Sequence, residues 1–168
     1  MSEKELRKMI DHASAFCERH FAAKGEIAPM WHFINAKGEQ FIEPHPPFDK
    51  DTSMALIRAL FDLNDVVRYI YMGEAWTLDR MIKTDEMDEI RRTGLASHPD
   101  RCEIVQLQGE DSECGQLMGQ RKIIRPKAGR PYLAPLQMTT DLPFIPTGAH
   151  VESSGRMVGV LPVQGTRQ

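Results

Sequence analysis

The apolar positions of Val66–Leu78, VVRYIYMGEAWTL, fall on both sides of a period-two pattern. Val67, Tyr69, Tyr71, Gly73 and Ala75 share one side, and Val66, Arg68, Ile70, Met72, Glu74 and Trp76 the other. β-Branched and aromatic residues suit a pleated surface, and large apolar groups on both sides predict a central strand covered twice. Gly73 inside it marks a bulge or a close approach by another backbone or a ligand.

The rest of the chain is arranged around that strand. Leu6, Met9, Ile10, Ala13, Cys17 and Phe21 recur at the helical period, predicting a helix over Ser2–Lys24. Ser2 and Glu5 have capping-box spacing, and Gly25 supplies the stop. Residues 27–35 and 39–43 read as a hairpin about 36–38, with Pro29 delaying the first strand or placing it at an edge. The PHPP stretch at 44–47 is an extended connector. Asp49 or Asp51 then caps a helix over 52–63, apolar over so wide an arc that it should be the more buried of the two.

The connection 79–101 contains TDEMDEIRRTG, a short helix capped by Thr84, with acids in its first turn, arginines in its last and Gly94 after it. Residues 102–108, 116–125 and 132–138 read as three strands of a meander, with 109–115 as an acidic turn and Pro135 favouring an edge. The order α-β-β-α-β-short α-β-β-β predicts the α+β class: one mostly antiparallel sheet of five or six strands with two main helices packed on it. Residues 1–139 form this single domain. Residues 140–168, rich in Pro and Gly, form either a partly disordered tail or an extended arm whose 157–163 piece pairs with a sheet edge, on its own or a second subunit.

Composition narrows the function classes. The chain has 168 residues, 41% apolar and 27% charged, with a net charge of −3, so nothing draws it globally to nucleic acid or an anionic membrane. No run reaches the ~20 apolar residues of a membrane span, and the first residues lack a signal peptide's apolar core. Three cysteines without a CxxC point to free thiols and a cytoplasmic setting. Cys102 and Cys114 flank a hairpin, where they can approach each other. The ten methionines read as adaptable core filler.

Candidate chemistry centres on Glu74. With His32 and His45 it offers metal-ligand types, although no HExxH or HxH spacing occurs. With His98 and Arg101 it offers acid–base or charge-pair chemistry. A carboxylate on an apolar strand needs a partner, and Arg68, Arg92 and Arg101 are the candidates. The functional version is a polar pocket beneath the 79–101 connection, with that segment as its lid. Arg121, Lys122, Arg125, Lys127 and Arg130 form an acid-free basic run, but alternation splits the strand portion between faces, and Tyr132 is the only neighbouring aromatic, so nucleic-acid binding is not expected. No GxSxG, GxGxxG or Walker glycine loop is present, and no cofactor is implied.

Gly73–Glu74–Ala75–Trp76, His98–Pro99–Asp100–Arg101 and Gly109–Glu110–Asp111 together resemble a loose group of uncharacterised small bacterial and phage-type proteins. That resemblance implies a bacterial protein and transfers no residue role. The leading expectation is a non-catalytic binding or assembly domain that self-associates as a homodimer and contacts a small ligand or a protein partner. The alternative is a small enzyme or metal-binding protein built on Glu74.

Overall fold

The computed structural model describes residues 2–141 and 160–162. Helix α1 spans Ser2–Lys24. Strands β1 (Met30–Asn35) and β2 (Gln40–Pro44) form the first hairpin, followed by α2 (Lys50–Leu63) and β3 (Val66–Leu78). Helix α3 (Thr84–Thr93) precedes β4 (Arg101–Asp111) and β5 (Gly115–Ile124). Two short strands follow, β6 (Tyr132–Leu133) and β7 (Gln137–Met138). All pairings are antiparallel, in the order β2-β1-β3-β4-β5-β6, with β7 on β5 beside β6. The molecule is α+β with one mostly antiparallel sheet.

β3 is interior, as its two-sided pattern requires. It pairs along its whole length with β4, whereas β1 covers it only as far as Met72, opposite Met30. α1 covers one face. Leu6, Ile10, Cys17 and Phe21 are buried there against Ile70, Met72, Val105 and Leu107. Removing side chains of this size from water stabilises by about 1.5–3 kcal/mol each. α2 covers the other face at the β1–β3 end, where Phe61 packs among Trp31, Phe33 and Tyr69.

Local chemistry accounts for the element ends. Gly25, at φ +76°, turns the chain out of α1 and donates its N–H to the Phe21 carbonyl. Asp49 is the α2 cap, its Oδ1 accepting from the Thr52 N–H at 2.9 Å, so the helix starts two residues earlier than its periodicity suggests. Asn35 closes the first hairpin by accepting the N–H groups of Lys37 and Glu39.

Several expectations are corrected. Lys83, not Thr84, is the cap residue of α3, and its side chain makes no capping hydrogen bond among the described residues. Residues 109–111 belong to β4 rather than to a turn. Gly109 is a close-approach glycine: a Cβ there would lie 2.6 Å from Ile70 Cδ1 and 2.9 Å from Leu6 Cδ1. The third meander strand is two strands, because Pro135 has no N–H for the ladder. α2 is not the more buried of the two main helices either: similar shares of α1 and α2 are buried. Leu56 and Leu63 are 45% and 78% exposed, so its apolar arc exceeds what the sheet covers. Cys102 and Cys114 sit at opposite ends of β4, the latter in the turn beyond the Asp111–Gly115 pair, and all three cysteines are free.

Of the arm at 140–168, residues 142–159 and 163–168 lie outside the described residues. Within the 157–163 piece, Val160 is buried and Leu161 half-buried in the α2-side cluster, so these two contribute to the core rather than to a ladder. No helix among the described residues is long and apolar enough to cross a membrane.

Candidate ligand pocket

Register decides which side chains meet above the sheet. Ala75 pairs with Ile104, and Gln106 lies between Gly73 and Gln120 on the face away from α1. α2 does not reach this end of the face. The 79–101 connection arches over it instead, leaving a cavity of about 540 Å³. Ile104 and Met118 form its floor, Met81, Ile82 and Met87 its roof, and Leu78 its end wall. Gln106 and Gln120 introduce carboxamides into this apolar lining. Most ligand sites have this composition, apolar walls with a few placed polar groups.

Ion pairs tie the roof down. Asp79, where the chain leaves β3, pairs with Lys122 on β5. Arg80 makes a two-pronged bond to Glu86 on α3, at 2.8 and 2.5 Å, and reaches Asp100 at 3.2 Å. His98 Nε2 lies 3.2 Å from Glu86 Oε1, and its Nδ1 accepts the Asp100 N–H at 3.1 Å. With Nδ1 taking the Asp100 N–H, Nε2 is the ring nitrogen placed to donate to Glu86. The Arg80 guanidinium holds the Glu86 carboxyl down at about 2. The two ends of the connection are thus cross-linked at their base.

A pocket does lie beneath the connection, but it is apolar rather than polar and lies on the opposite face of β3 from Glu74. Glu74 is exposed, and its Oε1 accepts the Ile27 N–H at 2.8 Å, bracketing the chain between α1 and β1. Its partner is this backbone amide. Arg68 pairs instead with Asp111 across the β3–β4 ladder at 2.6 Å, and the Arg101 guanidinium donates to the His98 carbonyl. His98 joins the Arg80–Glu86 cluster, so Glu74, His98 and Arg101 do not converge.

His45 Nδ1 accepts the Trp31 indole N–H at 3.0 Å, and burial lowers its pKa. His32, on the other face of β1, bonds Gln40. Among the described residues no three His, Cys, Asp or Glu side chains are grouped to hold a metal ion. The basic run is largely spent on internal pairs: Arg121 is buried and bonds Glu18 and the Ala134 carbonyl, Lys122 pairs with Asp79, and Arg125 with Glu103. Burial pushes the Cys17 thiol up to about 11, so it is inert.

One buried pair escapes the sequence pattern. Tyr69 and Glu110 are cross-strand partners on the face away from α1. Among the described residues neither the Tyr69 hydroxyl nor Glu110 Oε2 finds a well-formed hydrogen bond, although the two groups lie close enough to influence each other. Burial raises both groups above their ordinary pKa values. The alternation Gln106, Gln108, Glu110 was the available signal for this polar strip. No protein-family model, curated protein sequence or solved structure matches this chain.

Proposed function

We propose that the protein is a non-catalytic binding domain that takes an apolar small molecule in the pocket between the 79–101 connection and β3–β5. The cavity itself carries the reading: about 540 Å³, walled by methionine, isoleucine and leucine, within the size range of small-molecule sites. Methionine walls adapt to differently shaped apolar groups. Among the described residues the lining holds no carboxylate, imidazole, thiol or lysine, and its arginine, Arg80, is bound to Glu86 and Asp100. That inventory favours binding over catalysis, and the dispersal of Glu74, His98 and Arg101 gives the enzyme alternative no shared centre.

A methyl-labelled methionine spectrum with a panel of apolar fragments tests this. Binding fragments should shift Met81, Met87 and Met118 and leave Met9 and Met72 in place, and Met118→Trp should abolish the shifts by filling the cavity. A panel that moves none of the three roof and floor methionines removes the reading.

Self-association as a homodimer is the second part of the proposal. The outward side of α2 supports it, with Leu56, Leu63 and the nearby Phe48 exposed. Sedimentation velocity should show a dimer that Leu63→Glu converts to monomer; a monomeric wild type at high concentration ends that part. A cytoplasmic setting accords with the three free thiols.

A further inference from the structure

We infer that the pocket selects a neutral ligand carrying an amide-type group, a hydrogen-bond donor beside an acceptor, which pairs with the side chains of Gln120 and Gln106. The inference rests on the cavity being the ligand site and adds the chemistry of what it holds.

Gln120 carries the argument. It is only 7% exposed and lines the cavity, no side-chain hydrogen bond joins its carboxamide to another described residue, and its polar atoms are not among the fully enclosed unpartnered ones, so they open on the cavity. A carboxamide that opens on a cavity is served by solvent there, and a ligand that displaces this solvent must replace its hydrogen bonds. Gln106 stands directly across the ladder. It donates to Gln108 Oε1 at 3.2 Å, and its own carbonyl oxygen has no partner among the described residues. Two adjacent carboxamides therefore present donors and acceptors together at the floor of a mainly apolar cavity whose other polar side chains are Thr77, Thr139 and the ion-paired Arg80.

A charged head group has no counterpart in this site. Arg80 is occupied by Glu86 and Asp100, Lys122 by Asp79, and among the described residues no acidic side chain lines the cavity. An ion placed there would lose its hydration without compensation. A group offering both donor and acceptor fits the amides and leaves its apolar remainder to Ile104, Met118 and the roof methionines.

Three probes of equal chain length separate the possibilities by calorimetric titration: octanamide, octanoate and octylamine. Octanamide should bind about tenfold or more tightly than either charged probe, because a site built for hydrogen bonding discriminates by what it would leave unpaired. Gln120→Leu should erase that preference while retaining a weak apolar affinity, and Gln106→Leu should reduce it, with folding of each variant checked by near-ultraviolet circular dichroism. The wild-type ranking of the probes tests the inference even where a variant fails to fold. Equal binding of all three, or an amide preference that survives in folded Gln120→Leu, overturns the amide pairing and leaves the apolar pocket standing. Binding by none of them, together with silence in the methionine spectra, removes the pocket as well.

Discussion

The two faces of the sheet are finished to different degrees. Under α1 the face is continuous and apolar, closed by Leu6, Ile10, Cys17 and Phe21. The helix lies so close that β4 has no room for a side chain at Gly109. The opposite face is divided. Its β1–β3 end is an aromatic cluster beneath α2, and its β3–β5 end carries glutamines, a half-buried acid and a cavity beneath a strapped connection. Space and unspent polarity occur together on the second face, where packing has been left incomplete.

Truncating floor and core side chains of similar size tests that contrast most severely. Leu107→Ala on the α1 face should cost about 2–5 kcal/mol by chemical denaturation, since its neighbours cannot collapse into the hole. Met118→Ala, whose side chain already borders open space, should cost about 1 kcal/mol or less by the same cavity argument. Equal costs would mean that the two faces are packed alike. Gly109→Ala comes next: the added methyl must displace Ile70 and Leu6, an overpacking expected to cost about 1–3 kcal/mol. A neutral effect would show that α1 is not held as close as the distances say.

Glu110 gives a smaller effect of opposite sign. Its folded pKa is raised above the ordinary 4.5 by burial, so the fold prefers the protonated acid. The stability it contributes is present below 4.5 and lost as pH rises through the raised value. Glu110→Gln, neutral at every pH, should raise Tm by a few degrees at pH 7 and match the wild type at pH 4. An equal gain at both values would assign the benefit to something other than charge burial.

The smallest global effect belongs to the base of the connection. Glu86 is held down at about 2, so its contribution is intact above 4.5 and lost as pH falls toward 2. Glu86→Gln should loosen the connection without changing global Tm, read as faster amide exchange over residues 80–100. Unchanged exchange there would show that the ion pairs do not hold the roof.

How far the molecule was legible from its residues follows the same division. Period-two alternation in Val66–Leu78 predicted an interior strand with two covered faces, and the α1 stripe predicted its helix to the residue, because each is a local pattern. Gly109 was misread as a turn because its reason for being glycine is tertiary, the approach of Leu6 from far away in the chain. Glu74 drew attention as a carboxylate within an apolar strand, yet β1 stops at Met72's partner and leaves it exposed. The pocket was anticipated in place, beneath 79–101, but not in composition. Its lining gathers Leu78, Met87, Ile104, Met118 and Gln120 from separate segments, and no single segment carries that pattern. Gln106 and Gln108, on either side of Leu107, did carry a readable alternation of amides with an apolar residue.

Val160, seated among Trp31, Phe33 and Tyr69, has a consequence for how the chain matures during synthesis. Among the described residues the α1 layer draws on nothing beyond the strands that end at Met138, so those parts can assemble on the ribosome as soon as they emerge. The aromatic layer is completed only when residue 160 arrives, and until then its cluster lacks one buried member on the nascent polypeptide. Vectorial translation therefore leaves a late interval in which one layer is sealed and the other is vulnerable to aggregation or to capture by a chaperone.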